Sequence, residues 1–352
     1  MTSPADAIIA VTHRCNAHCV MCNVWKSSAA DRLRPEHLRK LPADLRTINL
    51  TGGEPFCRSD LPEFVRQANL RCPKAQITIS TNAYMPDQIE KTMAEIVKID
   101  PAVHLAVSLD GLGRAHDKIR GDEGAFDSAM ELIERLTASG FRGLRLSMTL
   151  SETNPDQLLG VADLAVRRGL ELGVVAAHAA RTHLGVKHEP RREMPARLAG
   201  QFEKIISRWL LGWRAKQWLR AHFTYNTYRL LAGRPGRFRC RAGRDFFFCQ
   251  ADGTVYSCSV RGRPLGNLTE QNWEQIWSSK AAADARQAAR RCPENCWMIC
   301  TARSIYRTRP WAAAWWIITR KALAHLHMFS LPGAAAASNG RATESSCANS
   351  SR

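Results

Sequence analysis

Over its first 180 residues the sequence alternates short β-rich apolar runs with longer stretches whose apolar residues recur at helical spacing. The β-rich runs fall at residues 7–12, 47–51, 76–81, 103–109, 144–150 and 173–178. Between them lie patterns such as Leu61, Phe64, Val65 and Ala68, or Ala129, Leu132, Ile133 and Leu136. Strand and helix in strict alternation require parallel strands joined by right-handed crossovers. The expected fold class is therefore α/β, a partial (β/α)6 TIM-type barrel. In such barrels ligands gather on the loops at the C-terminal strand ends.

The remainder is organised differently. A basic helical connector is expected over 191–235, a Gly- and Cys-rich region over 236–305 and a basic helix over 306–331. The segment 332–352 is too poor in apolar side chains to order itself. At 45% hydrophobic and 23% charged residues in 352, the chain has the composition of a globular protein rather than a disordered or collagen-like one. It contains no run of roughly 20 apolar residues, and Asp6 interrupts what would be a basic signal n-region. A cytoplasmic location follows as the expectation. There the 12 cysteines would act as metal ligands, reactive thiols or core residues rather than as structural disulfides.

The charge of +18 is uneven: residues 1–200 hold 26 basic and 24 acidic side chains, residues 201–352 hold 24 and 8. A basic field on the C-terminal half suits an acidic peptide, nucleic acid or an anionic lipid surface.

Directly after the first strand stand Cys15, Cys19 and Cys22. Three thiols so spaced on a strand-end loop can converge on one metal centre, either zinc completed by His13 or His18, or an iron–sulfur cluster with one iron left open. The following strand ends read Thr51-Gly52-Gly53-Glu54-Pro55, Ser80-Thr81-Asn82 and Ser108-Leu109-Asp110-Gly111. Taken together, the Cys-x3-Cys-x2-Cys loop and the Gly-Gly-Glu-Pro strand end resemble the radical S-adenosylmethionine (radical SAM) superfamily over about residues 6–180. The resemblance implies that Cys15, Cys19 and Cys22 bind three irons of a [4Fe–4S] cluster. S-adenosylmethionine would chelate the fourth. Gly52, Gly53 and Glu54 would line the methionine end, the Glu54 carboxylate accepting from its ammonium group. Ser80, Asn82, Ser108 and Asp110 become polar contacts to the cofactor, although Ser80 and Ser108 suit helix capping equally well. Where the family usually has an aromatic residue before the third cysteine this chain has Met21. Cys57 and Cys72 read as bystander thiols. The implied chemistry is reductive cleavage of S-adenosylmethionine to a 5′-deoxyadenosyl radical that abstracts hydrogen from a substrate.

A second constellation holds Cys240, Cys258, Cys292, Cys296 and Cys300, with a turn at Gln250-Ala-Asp-Gly253 between two short β-runs. The Cys-x12-Gly-x4-Cys hairpin followed by further cysteines resembles the SPASM/twitch auxiliary domain found after many radical SAM barrels. The downstream cysteines are fewer than in the full pattern. One auxiliary [4Fe–4S] cluster on Cys240, Cys258 and two of the last three, with Cys296 and Cys300 preferred, fits the count; a structural zinc site is the alternative. Cys249 has no spacing-based role.

Residues 311–328 interleave Trp311, Trp315, Trp316 and Ile317 with Arg320 and Lys321. This helix either packs back onto the barrel or offers Trp315, Trp316, Arg320 and Lys321 to an anionic membrane as a peripheral contact. His178, Arg181 and His183, after the sixth strand, are further substrate-contact candidates. The expected activity is radical SAM chemistry on a peptide or protein side chain, fed by an electron donor such as flavodoxin or ferredoxin. A carbohydrate, nucleotide-derived or tRNA substrate is the alternative, and a non-catalytic zinc- or cluster-binding protein the competitor from another class. With the first strand starting so early, leader-peptide recognition is expected to fall to the C-terminal region or a partner.

Overall fold

A computed structural model of the chain describes residues 3–186, 195–236, 238–294 and 296–332. Strands β1 (Asp6–Thr12), β2 (Thr47–Gly52), β3 (Gln76–Thr81), β4 (His104–Ser108), β5 (Leu144–Leu150) and β6 (Glu171–Ala176) are connected through helices α1 (Leu61–Arg71), α2 (Pro86–Ile99), α3 (Arg114–Arg120), α4 (Ala125–Ala138) and α5 (Leu158–Arg167). The six strands are parallel in the order β6-β5-β4-β3-β2-β1. β6 and β1 are not neighbours, so the barrel is partial, as the alternation predicts. Period-2 patterning builds its wall. In β5, Leu144, Leu146, Met148 and Leu150 are buried while Arg145, Ser147 and Thr149 between them are half-buried, which puts apolar side chains under the helices and polar ones toward the barrel interior. β6 starts two residues earlier than the sequence suggests. Leu172, Val174 and Ala176 are its buried set, and Glu171, opposite Arg145 of β5, is anchored by Lys216 at 2.7 Å.

After the barrel come α6 (Pro195–Leu211) and α7 (Ala215–Leu231), with α7 lying along β6. The Cys-rich region then returns to the barrel sheet. β7 (Phe246–Cys249) pairs in parallel with β1, from Asp6 opposite Phe246 to Ile9 opposite Cys249, and β8 (Thr254–Tyr256) and β9 (Pro264–Asn267) continue antiparallel. One nine-stranded sheet therefore carries both cysteine groups. Gly253 closes the hairpin at φ +88°, where a Cβ would meet the Asn267 and Thr269 side chains at 2.6 and 2.5 Å. Helices α8 (Trp273–Ser278), α9 (Lys280–Arg290), α10 (Ile299–Thr308) and α11 (Pro310–His325) complete the chain. Arg303 and Arg307 of α10 both pair with the buried Asp6 of β1, locking the Cys-rich region to the first strand.

Helix α11 docks on α6 and α7. The Trp316 ring lies 4.8 Å from Tyr225 and 5.1 Å from His222. The Lys321 ammonium donates to the Leu210 and Gly212 carbonyls at 2.7 and 3.0 Å and sits 4.5 Å from the Trp218 ring. Trp316 and Lys321 thus face the protein, which is the packing alternative and not the lipid-facing one: backbone carbonyls at and just after the α6 end accept from the ammonium. Trp311, Trp315 and Ile318 stay exposed. No helix among the described residues is long and apolar enough to cross a membrane. The tail expected to lack order lies, from residue 333, outside the described residues.

Candidate functional site

At the C-terminal strand ends a cavity of about 280 Å³ is lined by Cys15, Cys19, Met21, Cys22, Gly52, Gly53, Glu54, Ser80, Asn82 and Ser108. The three barrel cysteines and six of the seven residues expected to contact the cofactor are therefore gathered in one place. The loop after β1 and the end of β2 pass within backbone contact: a Cβ on Gly53 would meet the Arg14 carbonyl oxygen at 2.1 Å. Only glycine allows that approach.

Each thiol has its own hydrogen-bond donor. Asn82 Nδ2 lies 4.0 Å from Cys15 Sγ, Arg120 Nη1 3.6 Å from Cys19 Sγ, and the Val24 amide 3.4 Å from Cys22 Sγ. Burial pushes the Cys15 thiol up to about 12 and raises Cys22 as well. A metal overturns that preference by taking the thiolate directly. Among the described residues no three such side chains close around a point suited to a single metal ion. An all-thiol donor set spread around a cavity wall fits the larger iron–sulfur cubane, whose ligands are cysteine thiolates, better than mononuclear zinc.

Glu54 is fully buried, and its carboxylate accepts from the Asn82 amide at 2.7 Å, the Thr81 hydroxyl at 3.0 Å and the Phe56 amide at 3.3 Å. Its observed work is to tie the end of β2 to the end of β3, using lone pairs that the sequence reading reserved for an ammonium group. Burial pushes its pKa up to about 7 despite those hydrogen bonds and Arg120. A carboxyl raised in the folded state stabilises the fold below its unfolded pKa and loses that contribution as pH rises through the folded value. Metal-free protein should therefore lose stability between roughly pH 4.5 and 7, by an amount on the order of 3 kcal/mol. Urea midpoints across that range, flattened by Glu54→Gln, check it.

Asp110 does not reach the cavity. It is wholly buried, with Oδ1 accepting from the Thr149 amide at 2.7 Å and Oδ2 paired with Arg120 Nη2 at 2.7 Å. Its expected contact with the cofactor is corrected accordingly: a buried carboxylate takes the nearest cation, and Arg120 is the group that lines the cavity in its stead. Burial pulls the Arg120 guanidinium down, but Asp110 and Cys19 more than offset it and hold it above its ordinary value. Sequence reading missed Arg120. At the C-terminus of α3 it looks like an ordinary surface arginine, and only a buried acid at the β4 end hints that a cation must meet it. His178 and His183 line the cavity as expected, whereas Arg181 does not. Cys57 lies outside the lining, and Cys72 is core, its thiol 3.2 Å from the Pro42 carbonyl.

The second thiol group also assembles. Cys240, Cys258 and Cys300 share a small apolar cluster with Ala242 and Phe246. Burial and then the surrounding thiols Cys240, Cys300, Cys258 and Cys292 push Cys296 well up. Cys300 is pushed up to about 12 and Cys240 to about 11, in each case first by burial. Cys292 lines an open recess with Cys240 and Cys258. All five expected thiols are thus neighbours, while Cys249 is buried in the main core. Val260 and Met298, each two residues from one of these cysteines, line the first cavity. The two sites share a wall.

Residues 9–165 match the radical SAM superfamily model, and residues 240–301 match the SPASM iron–sulfur cluster-binding domain. The barrel is thus a radical SAM domain, and the Cys-rich region after it is a SPASM-type cluster-binding domain. The chain is 33% identical over 162 residues to Fe-coproporphyrin III synthase of Methanosarcina barkeri, covering 44% of this chain and 39% of that protein. It is 27% identical over 284 residues to the mycofactocin maturase MftC of Mycolicibacterium smegmatis, covering 76% and 68%. Streptococcus suis SuiB bound to its precursor peptide SuiA superposes with a TM-score of 0.60 at 15% identity, over 80% of this chain and 66% of that one. The chain thus spans about two fifths of the first of these relatives and about two thirds of the other two.

Proposed function

We propose that this protein cleaves S-adenosylmethionine reductively at a [4Fe–4S] cluster on Cys15, Cys19 and Cys22 and modifies a peptide or protein side chain. The observation that carries the reading is the shared wall: residues adjoining the auxiliary thiols close the cavity that holds the radical SAM triplet. A substrate in that cavity lies between two redox centres, an arrangement suited to removing a hydrogen atom and then an electron from one carbon. When bound, the cluster and S-adenosylmethionine supply the 5′-deoxyadenosyl radical. The chain's own residues do the rest. Gly52 and Gly53 let the backbone approach the methionine end, Glu54 fixes that loop against Asn82, and Arg120, Asn82 and the Val24 amide hold the three thiolates. Ser80 and Ser108, which line the cavity, would serve as polar contacts to the cofactor.

The similarity to a maturase and to a peptide-bound structure favours a peptide over the carbohydrate, nucleotide-derived or tRNA alternatives. Cys240, Cys258, Cys296 and Cys300 are assigned to one auxiliary cluster, with Cys292 at its open edge. Electrons would come from a low-potential carrier such as flavodoxin or ferredoxin. A peripheral lipid contact would be made by Trp311, Trp315 and Ile318, the side chains that α11 leaves exposed.

Anaerobic reconstitution, followed by mass spectrometry of incubations with candidate peptides encoded beside the gene, tests the substrate. Iron analysis tests the cluster assignment. Wild type should hold about eight irons per chain, and the Cys15/Cys19/Cys22→Ala variant and the Cys258→Ala variant about four each. A triple variant that keeps one zinc and no iron would return the second site to the structural zinc reading.

A further inference from the structure

Beside the auxiliary thiols, between α7, the segment 238–244, α9 and the α10–α11 junction, lies a recess of about 490 Å³. Among the described residues seven arginines line it, and no aspartate or glutamate does. Three of the seven are already engaged within the fold, Arg229 lying 5.9 Å from the Tyr225 ring. Arg241 pairs with Asp245 at 2.6 Å, and Arg286 donates to the Gly243 and Trp277 carbonyls at 2.7 and 2.6 Å. Arg239, Arg244, Arg290 and Arg309 have no carboxylate partner among the described residues. Burial and the neighbouring Arg244 hold Arg286 below its ordinary value, and burial with Arg229 pushes His222 down to about 4. Positive charge is therefore concentrated here, with Arg241 paired to the Asp245 carboxylate.

Part of the remaining wall is apolar or aromatic, beside the polar His222, Asn226 and Thr308. Phe238, Trp297 and Ile305 stand among the arginines. A purely inorganic anion would leave that surface uncovered, whereas a ligand with carboxylates on an apolar scaffold covers both kinds of wall. Planar guanidinium forks favour carboxylates bidentately. The volume falls within the range of built ligand pockets, roughly 300–1,000 Å³. Cys240 and Ala242 line both this recess and the neighbouring one that holds Cys258 and Cys292, so an occupant would be held next to the auxiliary site.

We propose that this recess binds an acidic segment of the peptide substrate, its carboxylates on Arg239, Arg244, Arg290 and Arg309 and its apolar side chains against Phe238 and Trp297. The proposal rests on the peptide reading above and adds where the substrate is held. It accounts for part of the basic excess in the second half of the chain by a defined site rather than by diffuse surface charge.

The test uses reconstituted full-length protein and a fluorescein-labelled Glu-Leu-Glu-Glu-Leu-Glu peptide, with its Gln-for-Glu counterpart as control. Binding is read by anisotropy. The acidic peptide should bind and the Gln peptide should not. Arg239→Gln/Arg244→Gln/Arg290→Gln should weaken binding by about tenfold or more while iron stays at about eight per chain. The matching Lys variant should lose less, since it keeps the charge but not the fork. Raising salt from about 0.1 to about 0.5 M should mimic the Gln variant, and Cys15/Cys19/Cys22→Ala should bind as wild type does. Equal binding of both peptides, or unchanged affinity in the Gln variant, overturns the proposal. So does saturable, arginine-dependent binding of tripolyphosphate where the acidic peptide fails, which makes the ligand a phosphate. So does loss of iron in the arginine variants without any peptide binding by wild type, which would make these arginines partners of the cluster alone. Because binding is read without turnover, arginine-dependent capture of the acidic peptide by an enzyme that modifies no peptide supports the site and sinks the substrate reading instead.

Discussion

Cys19→Ala is expected to reduce 5′-deoxyadenosine formation from S-adenosylmethionine to background, a loss of more than about a hundredfold and so beyond the 10–100-fold that outer-shell changes cause. The expectation is strong because these three thiols are the cysteines that line the cavity, and each is fixed by a separate donor: Asn82 for Cys15, Arg120 for Cys19 and the Val24 amide for Cys22. Two thiolates would leave two irons without protein ligands, so the cluster would be lost rather than weakened. Cys72→Ala is the control. That thiol is buried in the core at the end of α1 and faces the Pro42 carbonyl, so its removal alters packing and leaves the cleavage rate at the wild-type level. High-performance liquid chromatography of dithionite-reduced reactions measures both. Cleavage by the Cys19 variant at the rate of the Cys72 variant would remove the assignment.

Much of this site could be read before any coordinates because the features that place it are local. The six strands announce themselves through alternating burial, and a Cys-x3-Cys-x2-Cys loop after the first strand must sit at the barrel's ligand-binding end. Gly53 reads as part of the wall at the methionine end, and the structure adds that the Arg14 carbonyl packs against it. What sequence could not supply were partners contributed by other elements. Asp110 reads as a polar strand end facing a ligand, yet it is neutralised by Arg120 from a helix whose pattern says surface. Lys321 reads as part of a basic face, yet it is drawn to two carbonyls at the end of α6. The Phe246-Phe247-Phe248 run reads as a short strand of a separate small domain, whereas it extends the barrel sheet beside β1. Periodicity shows which side of an element is buried and is silent on what it is buried against.

Arg120 supplies the second large effect, because one guanidinium does two things. Nη2 neutralises Asp110 at 2.7 Å in a fully buried pair, and Nη1 lies 3.6 Å from Cys19 Sγ. Arg120→Leu removes both and strands the Asp110 carboxylate, which costs about 3–5 kcal/mol when one partner of a buried pair is deleted. Urea denaturation of the metal-free protein should show that loss. Arg120→Leu/Asp110→Asn should recover much of it, since a neutral amide keeps an oxygen for the Thr149 amide without a stranded charge. The redox consequence should not recover. Removing a cation and a hydrogen-bond donor from beside a cluster thiolate makes adding an electron harder, so the cluster's midpoint potential should fall in the single and double variants alike. Arg120→Lys, which keeps the charge on a shorter reach, should retain more of the stability than of the potential. Electron paramagnetic resonance titration, in a background where Cys258→Ala has removed the auxiliary signal, isolates this cluster. If the double variant restores stability and the potential together, Arg120 is a counter-ion for Asp110 only, and its approach to Cys19 has no electronic role.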